Sequence, residues 1–266
     1  MTRCVPKEML PLVDRPAIDF VVQEFIEAGI KEVLIISCRR KKVMEDWFDR
    51  DPELEDAFRR EGAERKLRAI EPPKLKVSFV RQQRMGGTGD ALRLARSFAG
   101  SDPVVVAYPD DLFGLPNCSS QLMETWRRTG RSVLAAENLG DVDVSRYGVL
   151  DVQEVSGEIM LRQIVEKPMV GAEPSKLVSW GRYLFTPDFF DALDAGAQAH
   201  TGGEYFHIAA INALAAAGRV AVCQIDSARW DTGTPLGYLQ ACIEVAFQRE
   251  DLAPALRGWL RDRLDR

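Results

Sequence analysis

The sequence has little histidine and no clustered cysteine. Only two histidines occur, and the five cysteines are scattered singly with no C-x-x-C pair. This pattern excludes the ligand spacings of common zinc sites and favours reduced, unpaired thiols. His200 and His207 lack the partners of a nucleophile–base pair, so we expect both to be structural or surface residues.

A basic surface and long apolar runs are also lacking. The net charge is -5 at pH 7, so no general positive surface is available for a nucleic acid backbone. The first residues contain no apolar segment typical of a signal peptide, and no run approaches the length that crosses a membrane. We therefore expect a cytoplasmic protein that acts neither on nucleic acid nor at a membrane. A small phosphate-bearing substrate remains compatible with this charge.

What the sequence does contain is an alternation of apolar runs with helical patterns. The chain has 266 residues, 46% of them hydrophobic, which is enough for one large domain. The alternation predicts an α/β fold with a mixed, mainly parallel sheet flanked by helices. After Asn138 three β-rich segments follow one another, which indicates a mixed or antiparallel part of the same sheet. The early predicted strands are 32–37, 76–80 and 104–107, and the later ones are 132–136, 147–152, 158–165, 177–185 and 220–224.

Two carboxylates follow predicted strands. Asp110 comes directly after the apolar strand 104–107, and Asp231 lies between a short strand and a helix. Ligands of open α/β sheets gather at such strand ends, and Mg2+ favours one or two carboxylates together with phosphate oxygens. Each aspartate could instead cap a loop or a helix. As a pair, they predict a clamp for a divalent cation.

A glycine-rich turn and two lysines are further candidates. The segment Gly86–Gly89 (GGTG) lies between a strand and a helix, where its backbone can approach a ligand, but it is neither G-x-G-x-x-G nor a Walker loop. Lys167 follows Glu166 at a strand end and suits a phosphate, while the carboxylate could accept hydrogen bonds from sugar hydroxyls. An exposed ion pair would explain the same two residues. Lys7 is the second candidate lysine.

Three stretches resemble one family. PKEMLPLVDRP at Pro6–Pro16 is similar to the P-K-E-M-L-P-L-x-D-x-P signature of bacterial UTP–glucose-1-phosphate uridylyltransferases. VEKP at Val165–Pro168 resembles the sugar-phosphate motif of that family, and Asp231–Ala241 resembles its D-x-G-x-x-x-G-Y-x-Q-A segment. The resemblance extends from Thr2 nearly to the C-terminus. It implies a Rossmann-like fold of the nucleotide-diphospho-sugar transferase type over residues 1–266, with a nucleotide half at about 1–138 and a sugar-binding and C-terminal half at about 139–266.

On the nucleotide side the resemblance implies five roles. Lys7 would contact the reacting phosphates and, with Asp110, would be catalytic. Gln82 and Gly87 would hold the base. Asp110 and Asp231 would bind Mg2+, which is the implied cofactor.

On the sugar side it implies four more. Gly148, Glu166 and Gly181 would line the sugar site, and Lys167 would hold the sugar's phosphate as a third catalytic residue. The implied reaction joins UTP and glucose 1-phosphate by in-line attack on the α-phosphorus, giving UDP-glucose and pyrophosphate. The resemblance also suggests a homo-oligomer.

The sequence departs from the family in four places. The G-x-G-T-R-x-L-P segment, with the first strand, should precede Thr2 and is missing, which predicts impaired catalysis. Arg3 replaces a lysine, Asp90 replaces a histidine, and Phe206–Ala209 (FHIA) replaces Q-L-T-D, which would remove polar groups near the sugar end. These departures leave two alternatives: an enzyme for another base or sugar, and an inactive paralogue that binds a sugar nucleotide or an active partner.

Overall fold

The computed structural model describes residues 4–264, and the expectation about Arg3 lies outside them. The strands are β1 (Pro11–Leu12), β2 (Arg15–Pro16), β3 (Glu32–Ser37), β4 (Lys76–Arg81), β5 (Val104–Ala107), β6 (Asp111–Phe113), β7 (Ser132–Asn138), β8 (Gly148–Val155), β9 (Glu158–Glu166), β10 (Leu177–Phe185), β11 (Val220–Gln224) and β12 (Arg229–Asp231). The α-helices are α1 (Ala17–Glu27), α2 (Val43–Phe48), α3 (Pro52–Glu61), α4 (Glu64–Ala69), α5 (Gly87–Arg93), α6 (Arg96–Ala99), α7 (Cys118–Thr129), α8 (Asp188–Ala199), α9 (Ile208–Ala216), α10 (Pro235–Phe247) and α11 (Ala253–Leu264).

Local sequence explains where the main helices begin and end. The buried face of α1 carries apolar residues at helical spacing, and Gly29, with a φ of +83°, follows its end. The hydroxyl of Thr234 accepts a hydrogen bond from Gly237 N at 3.2 Å, and Pro235 occupies the first turn of α10. Among residues 4–264, no helix combines the length and apolarity that crossing a membrane requires.

The main sheet has six strands in the order β5-β10-β7-β11-β9-β8. Only β7 and β11 pair in parallel within it; β10 runs antiparallel to both β5 and β7, and β8 and β9 form an antiparallel pair. The expectation of a mainly parallel sheet is therefore wrong. The reason is local: Ser156 and Gly157, both with positive φ, turn β8 directly into β9, which a parallel pair does not allow. The mixed or antiparallel character expected after Asn138 is confirmed.

A separate parallel pair, β3 and β4, lies beside this sheet. The other edge of β3 faces β5 across a cavity of about 830 Å³, whose walls include apolar residues of α1 and α5. Strands β3 and β5 were expected to border one pocket, and they do. The third strand expected there, β4, pairs with the far side of β3 and contributes none of its residues to the cavity.

A buried ion pair fixes α1 against the main sheet. The guanidinium of Arg182 on β10 donates to both carboxylate oxygens of Glu24 on α1, at 3.1 and 2.7 Å, and both side chains are buried. The same carboxylate accepts a hydrogen bond from Ser119 N on α7 at 3.0 Å. Three elements are thereby held around the strand end that carries Asp110 and Asp111.

Candidate active site

Asp110 and Asp231 meet at adjacent strand ends. The antiparallel pairing of β6 and β12 sets Asp231 opposite Asp111, and Thr232 N donates to Asp110 O at 2.9 Å. A side chain on Gly233 would begin 2.9 Å from Asp231 Oδ1 and 3.2 Å from Asp110 Oδ2. The two carboxylates therefore converge on one point, as expected from the sequence, and Gly233 leaves the space between them open.

Lys7 adds a cation to this pair. It lies in the short 3-10 turn Lys7–Met9, and its ammonium forms an ion pair with Asp110. Within residues 4–264 no group of three or more His, Cys, Asp or Glu side chains is arranged so that it could hold a metal ion. The donor set of two carboxylates nonetheless fits Mg2+, which commonly takes one or two protein carboxylates and completes its shell with substrate oxygens and water.

Gln82 and Asp90 are joined at the start of α5. Gln82 Nε2 donates to Gly87 O at 3.1 Å and to Asp90 Oδ2 at 3.1 Å. Both side chains are half-buried. The glycine-rich turn and the residue before it therefore form one hydrogen-bonded unit at the carboxyl end of β4.

The segment around Tyr205 holds this turn in place. Gly89 N donates to Tyr205 O at 2.8 Å, and Tyr205 N donates to Gly86 O at 2.7 Å. Gly87 has a φ of +90°, and a Cβ there would lie 2.4 Å from Tyr205 O. Only glycine fits at this position, because both the backbone conformation and the close contact exclude a side chain.

His207 is buried beneath the same turn. Its Nδ1 lies 2.8 Å from Thr88 Oγ1, and the hydroxyl of Tyr108 lies 3.4 Å from both ring nitrogens. Burial lowers the pKa of His207 to about 4, so the imidazole is neutral at physiological pH. Both histidines were expected to be structural or surface residues; His207 is buried and His200 is exposed. The replaced segment Phe206–Ala209 was expected near the sugar end; its histidine instead packs against the glycine-rich turn.

Two glycines predicted to line the sugar site, Gly148 and Gly181, leave room for neighbouring groups because they have no side chain. Gly148 is paired with Glu166 across β8 and β9, and a Cβ on it would lie 2.7 Å from Glu166 Oε1. Gly181 N donates to Asp111 Oδ2 at 3.0 Å, and a Cβ there would lie 2.6 Å from Tyr108 Cβ. At both positions a side chain would collide with its neighbours, so only the glycine backbone lies beside the carboxylates of Glu166 and Asp111.

Lys167 occupies the turn that follows β9. It adopts a φ of +46°, and its backbone N donates to Tyr147 O at 3.0 Å. The side chains of Lys167 and Glu166 are exposed, and neither forms an ion pair with another residue of the described chain. The alternative of a mutual ion pair is therefore wrong, and the ammonium is accessible to an anion.

Sequence reasoning missed three residues of this region: Tyr108, Asp111 and Arg229. Arg229 Nη1 donates to Asp111 Oδ1 at 2.7 Å, and its guanidinium carbon lies 3.3 Å from the centroid of the Trp180 ring. Burial raises the pKa of Asp111, against the opposing effect of Arg229. Their proximity to Asp110 and Asp231 in sequence was the only available signal.

The sequence-predicted residues fall into two groups. The lining of the cavity between β3 and β5 includes Lys7, Gln82 and Asp110, together with Thr88 and Tyr108. The remaining candidates do not line this cavity; they are Gly87, Gly148, Glu166, Lys167, Gly181 and Asp231. Tyr108 connects the two groups, because its backbone N donates to Gly181 O at 2.7 Å and its hydroxyl lies 3.4 Å from the ring nitrogens of His207.

Comparison with known proteins gives one consistent result. A family model described as "Nucleotidyl transferase" matches residues 1–247. The chain is 34% identical over 264 residues to the UTP–glucose-1-phosphate uridylyltransferase 2 of Staphylococcus saprophyticus, which covers 98% of this chain and 91% of that protein. It is 33% identical to the UTP–glucose-1-phosphate uridylyltransferase of Bacillus subtilis, over 97% of this chain and 91% of the other. A solved structure of a UDP-glucose pyrophosphorylase from Acinetobacter baumannii superposes with a TM-score of 0.87 at 30% identity, covering 98% of this chain and 92% of that one.

Proposed function

The chain belongs to the nucleotidyl transferase family, and within it to the UTP–glucose-1-phosphate uridylyltransferases, and we propose that the residues converging at Asp110 carry out the reaction of that group. A phosphate oxygen of glucose 1-phosphate attacks the α-phosphorus of UTP in line. The new P–O bond forms as the bond between the α-phosphorus and the bridging oxygen to the β-phosphorus breaks. The products are UDP-glucose and pyrophosphate, and no covalent enzyme intermediate is required.

The observation that carries this proposal is the convergence of two carboxylates and one ammonium. Asp110 and Asp231 would hold Mg2+, which supplies neutralisation of phosphate charge when bound. Lys7, whose ammonium lies beside Asp110 in an ion pair, would contact the reacting phosphates.

The nucleotide and sugar parts are proposed to bind on opposite sides of Tyr108. Gln82 and Gly87 would contact the base from the glycine-rich turn. Glu166 and the backbone at Gly148 and Gly181 would line the sugar site. The support is geometric: the absence of a side chain at Gly148 and at Gly181 leaves room beside the carboxylates of Glu166 and Asp111, and carboxylates accept hydrogen bonds from hydroxyl groups.

Lys167 is proposed to hold the phosphate of glucose 1-phosphate. Its exposed ammonium has no ion-pair partner within residues 4–264, and a point charge of this kind binds phosphate. Catalysis would then consist mainly of positioning two anions and balancing their charge.

For the fold, we further propose that a first strand and a G-x-G-T-R loop belong before Thr2. The cavity between β3 and β5 supports this proposal, because each strand pairs on one edge and borders the cavity on the other. A strand placed there would lie between the edges of β3 and β5, in a cavity that Lys7 and Asp110 also line. A glycine-rich loop that follows it could cradle the phosphates that leave as pyrophosphate.

Location and assembly are also proposals. Five free cysteines without disulfide bonds support a reducing, cytoplasmic location. A homo-oligomer is supported by exposed apolar side chains on the last two helices, Leu236, Leu239 and Trp259. Size-exclusion chromatography with light scattering measures the assembly directly.

The test of function is formation of UDP-glucose from UTP, glucose 1-phosphate and Mg2+. It is applied to the chain and to a version extended before Thr2 by the family's strand and loop. Other nucleoside triphosphates and sugar phosphates are tested in parallel, because Asp90 replaces the histidine of the family and another base is one of the alternatives. Activity with UTP and glucose 1-phosphate supports the proposal, activity only with other pairs supports a different base or sugar, and inactivity of both versions supports the inactive paralogue.

A further inference from the structure

The side-chain amide of Gln82 is held in one orientation. Its Nε2 donates to Gly87 O and Asp90 Oδ2, each at 3.1 Å. A backbone carbonyl and an ionised carboxylate only accept hydrogen bonds, so the nitrogen end of the amide must face them. The oxygen, Oε1, then lies away from both acceptors, and no group within residues 4–264 donates to it.

This oxygen is available to a ligand. Gln82 lines the same cavity as Lys7 and Asp110. A fixed acceptor pairs with a ring N–H, as carried at N3 by uracil and thymine. At N3 of cytosine the same oxygen would face a lone pair, and the two acceptors would repel each other. A site that presents one hydrogen-bonding group in a fixed orientation discriminates against a ligand that cannot complete the bond.

We propose that Asp90 is a positioning residue that selects the base: by orienting the Gln82 amide it presents Oε1 to nucleotides with a ring N–H, uracil and thymine, and disfavours cytosine. The inference rests on the proposed function, in which Gln82 contacts the base. The family has a histidine at this position, and its imidazole can present either a hydrogen-bond donor or an acceptor. A carboxylate presents only acceptors. Asp90 therefore narrows the orientations that Gln82 can adopt.

The experiment is calorimetric binding of UTP, TTP and CTP, in the presence of Mg2+, to the chain and to Asp90→Ala. Binding is measured because it does not require turnover. The preference for UTP over CTP is expected to fall roughly fivefold in Asp90→Ala, since one of the two hydrogen bonds that orient the amide is lost. TTP is expected to change in parallel with UTP. Asp46→Ala on α2 is the matched control, because Asp46 is exposed and its removal changes the net charge equally.

Each other outcome overturns the inference. An unchanged UTP-to-CTP ratio, or an equal loss of both nucleotides with a lowered melting temperature, gives Asp90 no part in selection. A larger loss of CTP than of UTP means that the carboxylate reads an exocyclic amine directly. If Asp90→Ala does not fold, Asp90→Asn, which keeps one acceptor oxygen, takes its place. It should lower the UTP-to-CTP ratio by a smaller factor, and an unchanged ratio would overturn the inference. UTP binding by the unaltered chain distinguishes the two kinds of failure. If the proposed function is wrong, the unaltered chain does not bind UTP at all.

Discussion

Asp110 and Asp231, from opposite halves of the chain, bring their carboxylates to within 3.2 Å and 2.9 Å of one point beside Gly233. If they share Mg2+, Asp110→Asn and Asp231→Asn should each lower Mg2+-dependent turnover by at least about 100-fold, because metal neutralisation contributes several kcal/mol at the transition state. Pyrophosphate release against Mg2+ concentration measures this, in the extended version if the shorter chain turns over too slowly. Asp46→Asn is the control. Near-normal turnover in either variant rules out that residue as a required ligand.

Lys167 should act on one substrate only. Lys167→Ala is expected to raise the KM for glucose 1-phosphate by about tenfold or more, because a charge-assisted hydrogen bond to phosphate is lost, while the KM for UTP changes little. Lys42→Ala, which removes another exposed lysine, serves as the comparison. Equal effects on both substrates would mean that Lys167 supports the fold or lies away from the sugar phosphate.

The burial of His207 predicts a pH-dependent stability. Its pKa is about 4 in the folded protein and about 6.5 in unfolded chains, so the unfolded state binds the proton first as pH falls. The free energy of unfolding should therefore be highest above pH 6.5 with respect to this group and decline by up to about 3 kcal/mol as pH falls to 4. Urea unfolding at several pH values, compared with His207→Gln, isolates the contribution. Parallel pH profiles for the two proteins would contradict the prediction.

The ion pair between Arg182 and Glu24 should be costly to break from one side. Arg182→Met leaves a buried carboxylate without its cation and is expected to destabilise the fold by about 3–5 kcal/mol. The double variant Arg182→Met with Glu24→Leu should recover part of that loss, because no buried charge remains. Thermal and chemical unfolding measure both, and a double variant less stable than the single one would contradict this prediction, because the contacts of Glu24 with Ser119 would then outweigh the cost of its buried charge.

The cavity between β3 and β5 predicts that a further strand seated in it would stabilise the chain. Extending it before Thr2 with an apolar strand and a G-x-G-T-R loop should raise the melting temperature, since unpaired strand edges and apolar walls become covered. Turnover should rise as well, because the loop would bind the leaving phosphates. Pyrophosphate release and thermal melting of the two versions are compared, with a scrambled extension as control. Equal turnover in both would show that the loop is dispensable.

The sequence by itself determined most of the elements and the family. Periodicity located β3, β5, β10 and α1 almost to the residue, because apolar spacing depends on which face of an element is buried and little else. The PKEMLPLVDRP stretch and the VEKP turn were specific enough to indicate the uridylyltransferases, which the comparisons confirm. The residue roles carried by that resemblance remain predictions.

Strand direction and side-chain pairing were decided only by the tertiary structure. Strand β10 is buried along almost its whole length, as is typical of a parallel strand, so the sequence could not reveal that β10 runs against both β5 and β7. Likewise nothing local indicates that His207 would lie beneath Thr88 or that Arg229 would bind Asp111, because these contacts join segments far apart in the chain. A carboxylate's position on a strand end can be anticipated; the group that it meets there depends on how the whole sheet assembles.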